Sequence, residues 1–173
     1  MMRGEKAGLR ARHEADVPLL HALHEDVASR SRQDPRPWQP LPPERSPFVV
    51  AETSEKAVPF SAVELDSGEL AGAASLWGID LHNRSAHLGL SLLPAFRGRG
   101  LGSDIVRVLC AYGFTVRGLQ RLQVDTLEDN VPMITAATKA GFTVEGTLRR
   151  SAWVCGTFLD EVVLGLLAHE WTP

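Results

Sequence analysis

Apolar and polar positions alternate with period two from Arg121 to Leu127, where Leu122, Val124 and Thr126 face one way and Gln123 and Asp125 the other. That pattern predicts a strand with one buried face. The same period runs from His87 to Leu92: His87, Gly89 and Ser91 share one face, Leu88, Leu90 and Leu92 the opposite one. The strand breaks at Pro94 and passes into Arg97-Gly98-Arg99-Gly100-Leu101-Gly102-Ser103. The period then changes, and Leu101, Ile105, Val108, Leu109, Tyr112 and Val116 fall on one face of a helix.

Weaker patterns fill in the rest. Leu9-Arg10-Ala11 predicts a short first strand. Asp16 then caps a helix that has Pro18 in its first turn and Val17, Leu20, His24 and Val27 on one face. His21 and His24 are best explained as surface or half-buried residues. Gln33 to Pro47 carries Pro35, Pro37, Pro40, Pro42, Pro43 and Pro47 around Trp38, which excludes a helix interior or a central strand. A loop of that length in a compact domain is usually functional or disordered. Pro59 to Leu65 and Glu69 to Ile79 form a predicted hairpin about Asp66-Ser67-Gly68, and Asn83-Arg84-Ser85 turns the chain into the next strand. Asn130 opens a short helix closed by Gly141. Thr143 to Trp153 and Phe158 to Leu167 form a last hairpin about Cys155-Gly156. The order predicts one mixed α/β domain over residues 1–173, a central, mostly antiparallel sheet flanked by helices.

Composition narrows the class. The 173 residues are 44% hydrophobic and 23% charged, as expected of a globular chain that can bury a core. A formal charge of −3 argues against a general nucleic-acid binder. No apolar run approaches a membrane span, and no signal-peptide core follows Met1. Cys110 and Cys155 fit no metal spacing, so no metal site is expected. Both are read as reduced thiols of a cytoplasmic protein.

The chemistry concentrates in the glycine-rich turn. A strand, a turn without Cβ atoms and a helix N-terminus together present backbone N–H groups and a positive dipole end to an anion. Arg97 and Arg99 add charge that can pair with phosphate. No lysine follows the glycines, as a Walker loop requires, and the glycine spacing is not that of a dinucleotide fingerprint.

Arg97-x-x-Gly100-x-Gly102 instead resembles the pyrophosphate loop of the GNAT acyltransferase superfamily, and the element order resembles the GNAT fold over essentially the whole chain. Asn130, Lys139-Ala140-Gly141-Phe142, Glu145-Gly146-Thr147-Leu148-Arg149 and Asp160 ahead of Glu170-Trp171 are similar to the branch that acetylates ribosomal-protein N-termini, the RimJ/RimL-like enzymes. The resemblance implies that the fourth and fifth strands splay apart and that the pantetheine arm of acetyl-CoA lies in the gap beside Leu92 and Leu93. The pyrophosphate then rests on the N–H groups of Arg97, Gly98, Arg99, Gly100, Leu101, Gly102 and Ser103, and Asn130 bonds the pantetheine arm. The implied activity is N-acetylation of a primary amine, on a peptide N-terminus or a small molecule, with a homodimer left open. Trp38 and Trp153 are the candidate walls of the acceptor groove.

Three departures from the branch bear on mechanism. Met133 replaces the serine of Asn-x-x-Ser, and Ala137 stands where many relatives carry a tyrosine acid. His87 aligns with a glutamate that often precedes the Leu-Gly of the fourth strand, and it is the candidate general base. The losses at Met133 and Ala137 favour a rival from another class, a CoA-holding sensor or scaffold without turnover. The intact loop and His87 favour an enzyme.

Overall fold

The period-two segments assemble into one eight-stranded sheet in a computed structural model that describes residues 1–49 and 54–173. The strands are β1 (Met2–Arg3), β2 (Ala7–Arg10), β3 (Ala57–Glu64), β4 (Leu70–Asp80), β5 (Ser85–Leu92), β6 (Arg121–Leu127), β7 (Thr143–Val154) and β8 (Thr157–Leu167). Their order across the sheet is β1-β2-β3-β4-β5-β6-β8-β7, and every neighbouring pair is antiparallel except β5 and β6. The helices are α1 (Val17–Glu25), α2 (Val27–Ser31), α3 (Leu101–Ala111) and α4 (Val131–Lys139). The fold is the expected GNAT fold. The two-residue β1 shifts the strand count by one, so the fourth and fifth strands of the sequence reading are β5 and β6.

The apolar faces explain the layering. Leu101, Ile105 and Leu109 of α3 are almost fully buried against Leu76, Leu88, Leu122, Val124, Leu164 and Leu166 of the sheet. Burying each such side chain contributes about 1.5–3 kcal/mol. The opposite face is covered only in part, where Leu20 and Leu23 of α1 pack on Ala73 of β4. Most of the polar residues of β5 and β6 lie on that less covered face.

The parallel pair is short. Ser85 pairs with Arg121, Ala86 with Leu122 and His87 with Gln123, and there the ladder stops. Beyond it β5 follows β4 as far as Leu92 opposite Gly72, while β6 follows β8 as far as Leu127 opposite Glu161. The two strands are pulled by different partners and separate into a V whose apex is His87 and Gln123.

Several local expectations shift. The first strand lies at Ala7–Arg10. Asp16 makes no cap bond to α1; it accepts from Arg10 Nη1 at 2.6 Å, Arg10 Nη2 at 2.8 Å and Ser61 Oγ at 2.7 Å. A buried carboxylate gains more from a guanidinium than from an amide, and the Arg10 bonds hold the Asp16 pKa far below the ordinary range. The predicted helical stripe through Val27 is split, because the Asp26 side chain caps a new helix by accepting from Ser29 N–H. His21 and His24 are buried, at 3% and 4% exposure.

Candidate active site

The phosphate end is built from backbone. Gly98 and Gly100 have φ of 73° and 83°, a left-handed conformation that favours glycine, and the turn they make delivers the chain into the first turn of α3. The place a Cβ would occupy at Gly98 is open. Beside the loop lies a cavity of about 240 Å³ lined by Glu5, Lys6, Gly100, Ser103, Arg107 and Lys139. Three cations line it, Lys6 from the turn before β2, Arg107 from α3 and Lys139 from the end of α4, and Arg107 is itself paired with Asp104 at 3.2 Å and Glu5 at 3.5 Å; such a lining beside a helix N-terminus fits a phosphate-bearing group. Lys6 is held there by the buried Asp104, which accepts from Glu5, Lys6 and Ala7 N–H at 3.2, 2.8 and 2.8 Å.

The predicted arginines are engaged elsewhere. Arg99 pairs with Glu64 at 2.6 Å and lies over the Phe96 ring, and Arg97 Nε donates to the Leu92 carbonyl at 3.0 Å. The cations that line the cavity, Lys6, Arg107 and Lys139, carry no motif in sequence; only the packing of the β1–β2 turn, α3 and α4 assembles them. Glu64, whose carboxylate holds Arg99, belongs to this end of the sheet.

Between the two ends runs the open edge of β5 from Leu88 to Leu92, beyond the last β5–β6 pair. Leu93 N–H is taken by Ala71 O at 2.9 Å. Across the V, Asn130 caps α4 by accepting from Met133 N–H at 3.4 Å, and its Nδ2 donates to Thr126 Oγ1 at 2.9 Å. The end of α2 bridges the two arms on the less covered face: Arg32 pairs with Asp129 after β6, and Ser91 Oγ of β5 donates to Gln33 Oε1 at 2.7 Å.

At the apex the side chains take over. The His87 imidazole stacks on the Trp77 indole, with centroids 4.3 Å apart and planes 22° apart. Its Nδ1 lies 2.7 Å from Asp125 Oδ2. Nε2 has no protein partner among the described residues and is not enclosed. Gly78, at φ 58°, stands next to the ring; a Cβ there would come within 3.3 Å of its Cδ2.

The two predicted groove walls, Trp38 and Trp153, each pack on a ring close to them in the chain. Trp38 folds back on α1, donating from Nε1 to His24 O at 2.9 Å and stacking on the His24 ring. Trp153 sits at the tip of the β7–β8 hairpin, edge-on to Phe158. The indole that borders His87 is Trp77, which alternation alone does not single out. Ala137 is fully buried, and Met133 packs on the core, so neither position offers a proton donor. The nearby Thr138 hydroxyl is turned back onto Ile134 O at 2.8 Å.

Residues 7–143 match the acetyltransferase (GNAT) domain family, and the chain belongs to it. Spermidine N(1)-acetyltransferase of Escherichia coli (strain K12) is 30% identical over 109 residues, 63% of this chain and 58% of that protein. The match therefore spans less than two thirds of that relative's length. Among solved structures, spermidine N-acetyltransferase from Vibrio cholerae in complex with CoA and spermine superposes with a TM-score of 0.85 at 19% identity, covering 95% of this chain and 97% of that one. RimL, a ribosomal L7/L12 alpha-N-protein acetyltransferase in complex with coenzyme A, superposes with a TM-score of 0.79 at 23% identity, covering 94% of each chain. At these identities the superpositions show a shared fold. Among the described residues no group of three or more His, Cys, Asp or Glu could hold a metal ion, and no helix is long and apolar enough to cross a membrane.

Proposed function

We propose that residues 1–173 act as one acetyl-CoA-dependent N-acetyltransferase domain that acetylates a primary amine by direct attack in a ternary complex. The observation that carries this reading is the open edge of β5, which joins the glycine loop at one end to an accessible imidazole at the other. From His87 to Leu92 that edge spans roughly 17 Å at 3.3 Å per residue, a distance suited to an extended pantetheine chain. The relatives named for spermidine and for a ribosomal protein support an amine acceptor, in a small molecule or at a peptide N-terminus.

Each residue then has a task. The N–H groups of Arg97 to Ser103 hold the pyrophosphate, with Lys6, Arg107 and Lys139 supplying charge. The free backbone groups of β5 from Leu88 to Leu92 bind the pantetheine arm as an added strand would, with Leu93 beside it and Asn130 opposite. Acetyl-CoA, when bound, supplies the acetyl group as a thioester. An amine with pKa near 10 is mostly ammonium at pH 7, so a base is needed, and His87 Nε2 takes its proton. The C–N bond would form as the C–S bond breaks, with the electron pair leaving on sulfur and the second proton lost by the amine ending on the thiolate, since neither Met133 nor Ala137 can donate one. Trp77 walls the amine side.

A thiol-release assay with acetyl-CoA and a panel of polyamines, amino acids, aminoglycosides and peptides with free N-termini tests the reading. Release dependent on at least one amine is expected. Tight acetyl-CoA binding with no release across the panel would replace the enzyme by a CoA-holding module.

A further inference from the structure

A neutral imidazole carries its proton on one nitrogen and accepts only on the other, so a histidine base needs its tautomer fixed. His87 has the means. Asp125 Oδ2 lies 2.7 Å from Nδ1. Burial works to raise the Asp125 pKa, but the bonds from His87 and Gln123 more than offset it and leave it below the ordinary carboxylate range. An ionised carboxylate only accepts, so the proton must sit on Nδ1, and Nε2 is left bare.

The carboxylate is itself held. Gln123 Nε2 donates to Asp125 Oδ1 at 2.8 Å, and Arg121 Nη2 donates to Gln123 Oε1 at 3.1 Å. Arg121 Nη1 in turn donates to Glu145 Oε1 of β7 at 2.7 Å. This chain fixes which way Gln123 points, because its oxygen must face the guanidinium and its amide N–H the carboxylate. Trp77 stacks on the other side of the ring, so the imidazole is gripped by its face and by one nitrogen.

We propose that Asp125 is the positioning residue for His87, fixing the Nδ1–H tautomer so that Nε2 presents its lone pair to the acceptor amine, with Gln123 and Arg121 keeping the carboxylate in place. The inference rests on His87 as the base, and its test separates the two. In Asp125→Asn, Gln123 still donates to the side-chain oxygen, so the new amide must turn its N–H₂ toward Nδ1. That forces the Nε2–H tautomer and silences the base without altering the shape. The same exchange in Ser–His–Asp triads installs the wrong tautomer while leaving the geometry intact.

The experiment uses the whole chain with labelled histidine. Long-range 1H–15N spectra at alkaline pH, assigned by comparison with His87→Ala, should show Nδ1–H in the wild type and Nε2–H in Asp125→Asn. Asp125→Asn should lower kcat/KM about a hundredfold or more, yet keep the acetyl-CoA-induced rise in Tm, which shows that it folds. Added to His87→Ala, the same substitution should cost less than about threefold, because a residue acting through His87 has nothing left to act on. Asp125→Ala, which offers Nδ1 neither donor nor acceptor, should fall between the wild type and Asn. A wild-type tautomer or a kcat/KM within threefold in Asp125→Asn, with His87→Ala still losing a hundredfold, overturns the positioning role and leaves the base standing. Near-wild-type kcat/KM in His87→Ala overturns the base and the inference with it.

Discussion

At its C-terminal end β5 hands over to a loop that offers backbone; at its N-terminal end it offers side chains. Around Gly98 and Gly100 the proposed functional groups are main-chain N–H donors, and the arginines of the motif are tied to Glu64 and to the Leu92 carbonyl. Around His87 the functional groups come from β4, β5 and β6 and are locked by stacking and hydrogen bonds. On the proposed function, the difference follows from what each end would recognise. A pyrophosphate is the same in every acetyl-CoA, so a fixed array of N–H donors would serve it. An acceptor amine would have to be chosen and deprotonated, which takes side chains that can vary.

The sharpest way to break the comparison is Gly100→Asp. It puts a Cβ at a left-handed position and a carboxylate where phosphate must sit. Acetyl-CoA at a hundredfold excess over Kd should stabilise the wild type by about 2.7 kcal/mol, and the substitution should abolish that shift in Tm. An unchanged shift would sink the cradle. The acceptor end should behave oppositely: His87→Ala and Asp125→Asn cost turnover and leave the shift in place.

A smaller effect is expected at Lys6. Its charge faces the cradle from an exposed position, so Lys6→Ala should weaken acetyl-CoA binding roughly fivefold, about 1 kcal/mol, and less at high salt. A calorimetric Kd measured at two ionic strengths checks both points. No loss would mean that backbone alone holds the phosphates.

The smallest effect is on stability, and both ends contribute to it. Burial works to raise the pKa of Asp104 and of Asp125, yet hydrogen bonds lower both in the folded state: backbone N–H groups for Asp104, His87 and Gln123 for Asp125. Groups lowered on folding stabilise fully above the unfolded carboxylate value, about 3.9, and lose that contribution as pH falls through the folded values. The urea midpoint should therefore drop between pH 5 and pH 3. Asp104→Asn should be less stable than the wild type at pH 7 and closer to it at pH 3. A constant gap would show that the Asp104 charge plays no part.

Much of the fold was legible because periodicity is local. The alternation of Leu122, Val124 and Thr126 and the first part of the helical stripe, Leu101 to Leu109, appear where they were expected; the stripe fails at its end, where Tyr112–Val116 widens into a π turn and Val116 is exposed. The miss at Asp16 has a plain cause: a cap preference of about 1 kcal/mol gave way to Arg10 and Ser61, which are distant or unremarkable in sequence. Trp38 shows the same limit. Nothing local to a tryptophan among prolines tells that its N–H will donate to the His24 carbonyl of α1.

What the sequence by itself determined was whatever depends on neighbours along the chain: the strands, the glycine turn, the helix that follows it and the polar face carrying His87. Tertiary structure alone decided which residues meet across elements. Trp77 reaches His87 through the β4–β5 register, Asp125 reaches it through the short β5–β6 ladder, and Lys6, Arg107 and Lys139 converge from separate elements. The physical reason is that a backbone conformation is set within a few residues, whereas the partner of a side chain is set by register and packing over the whole sheet.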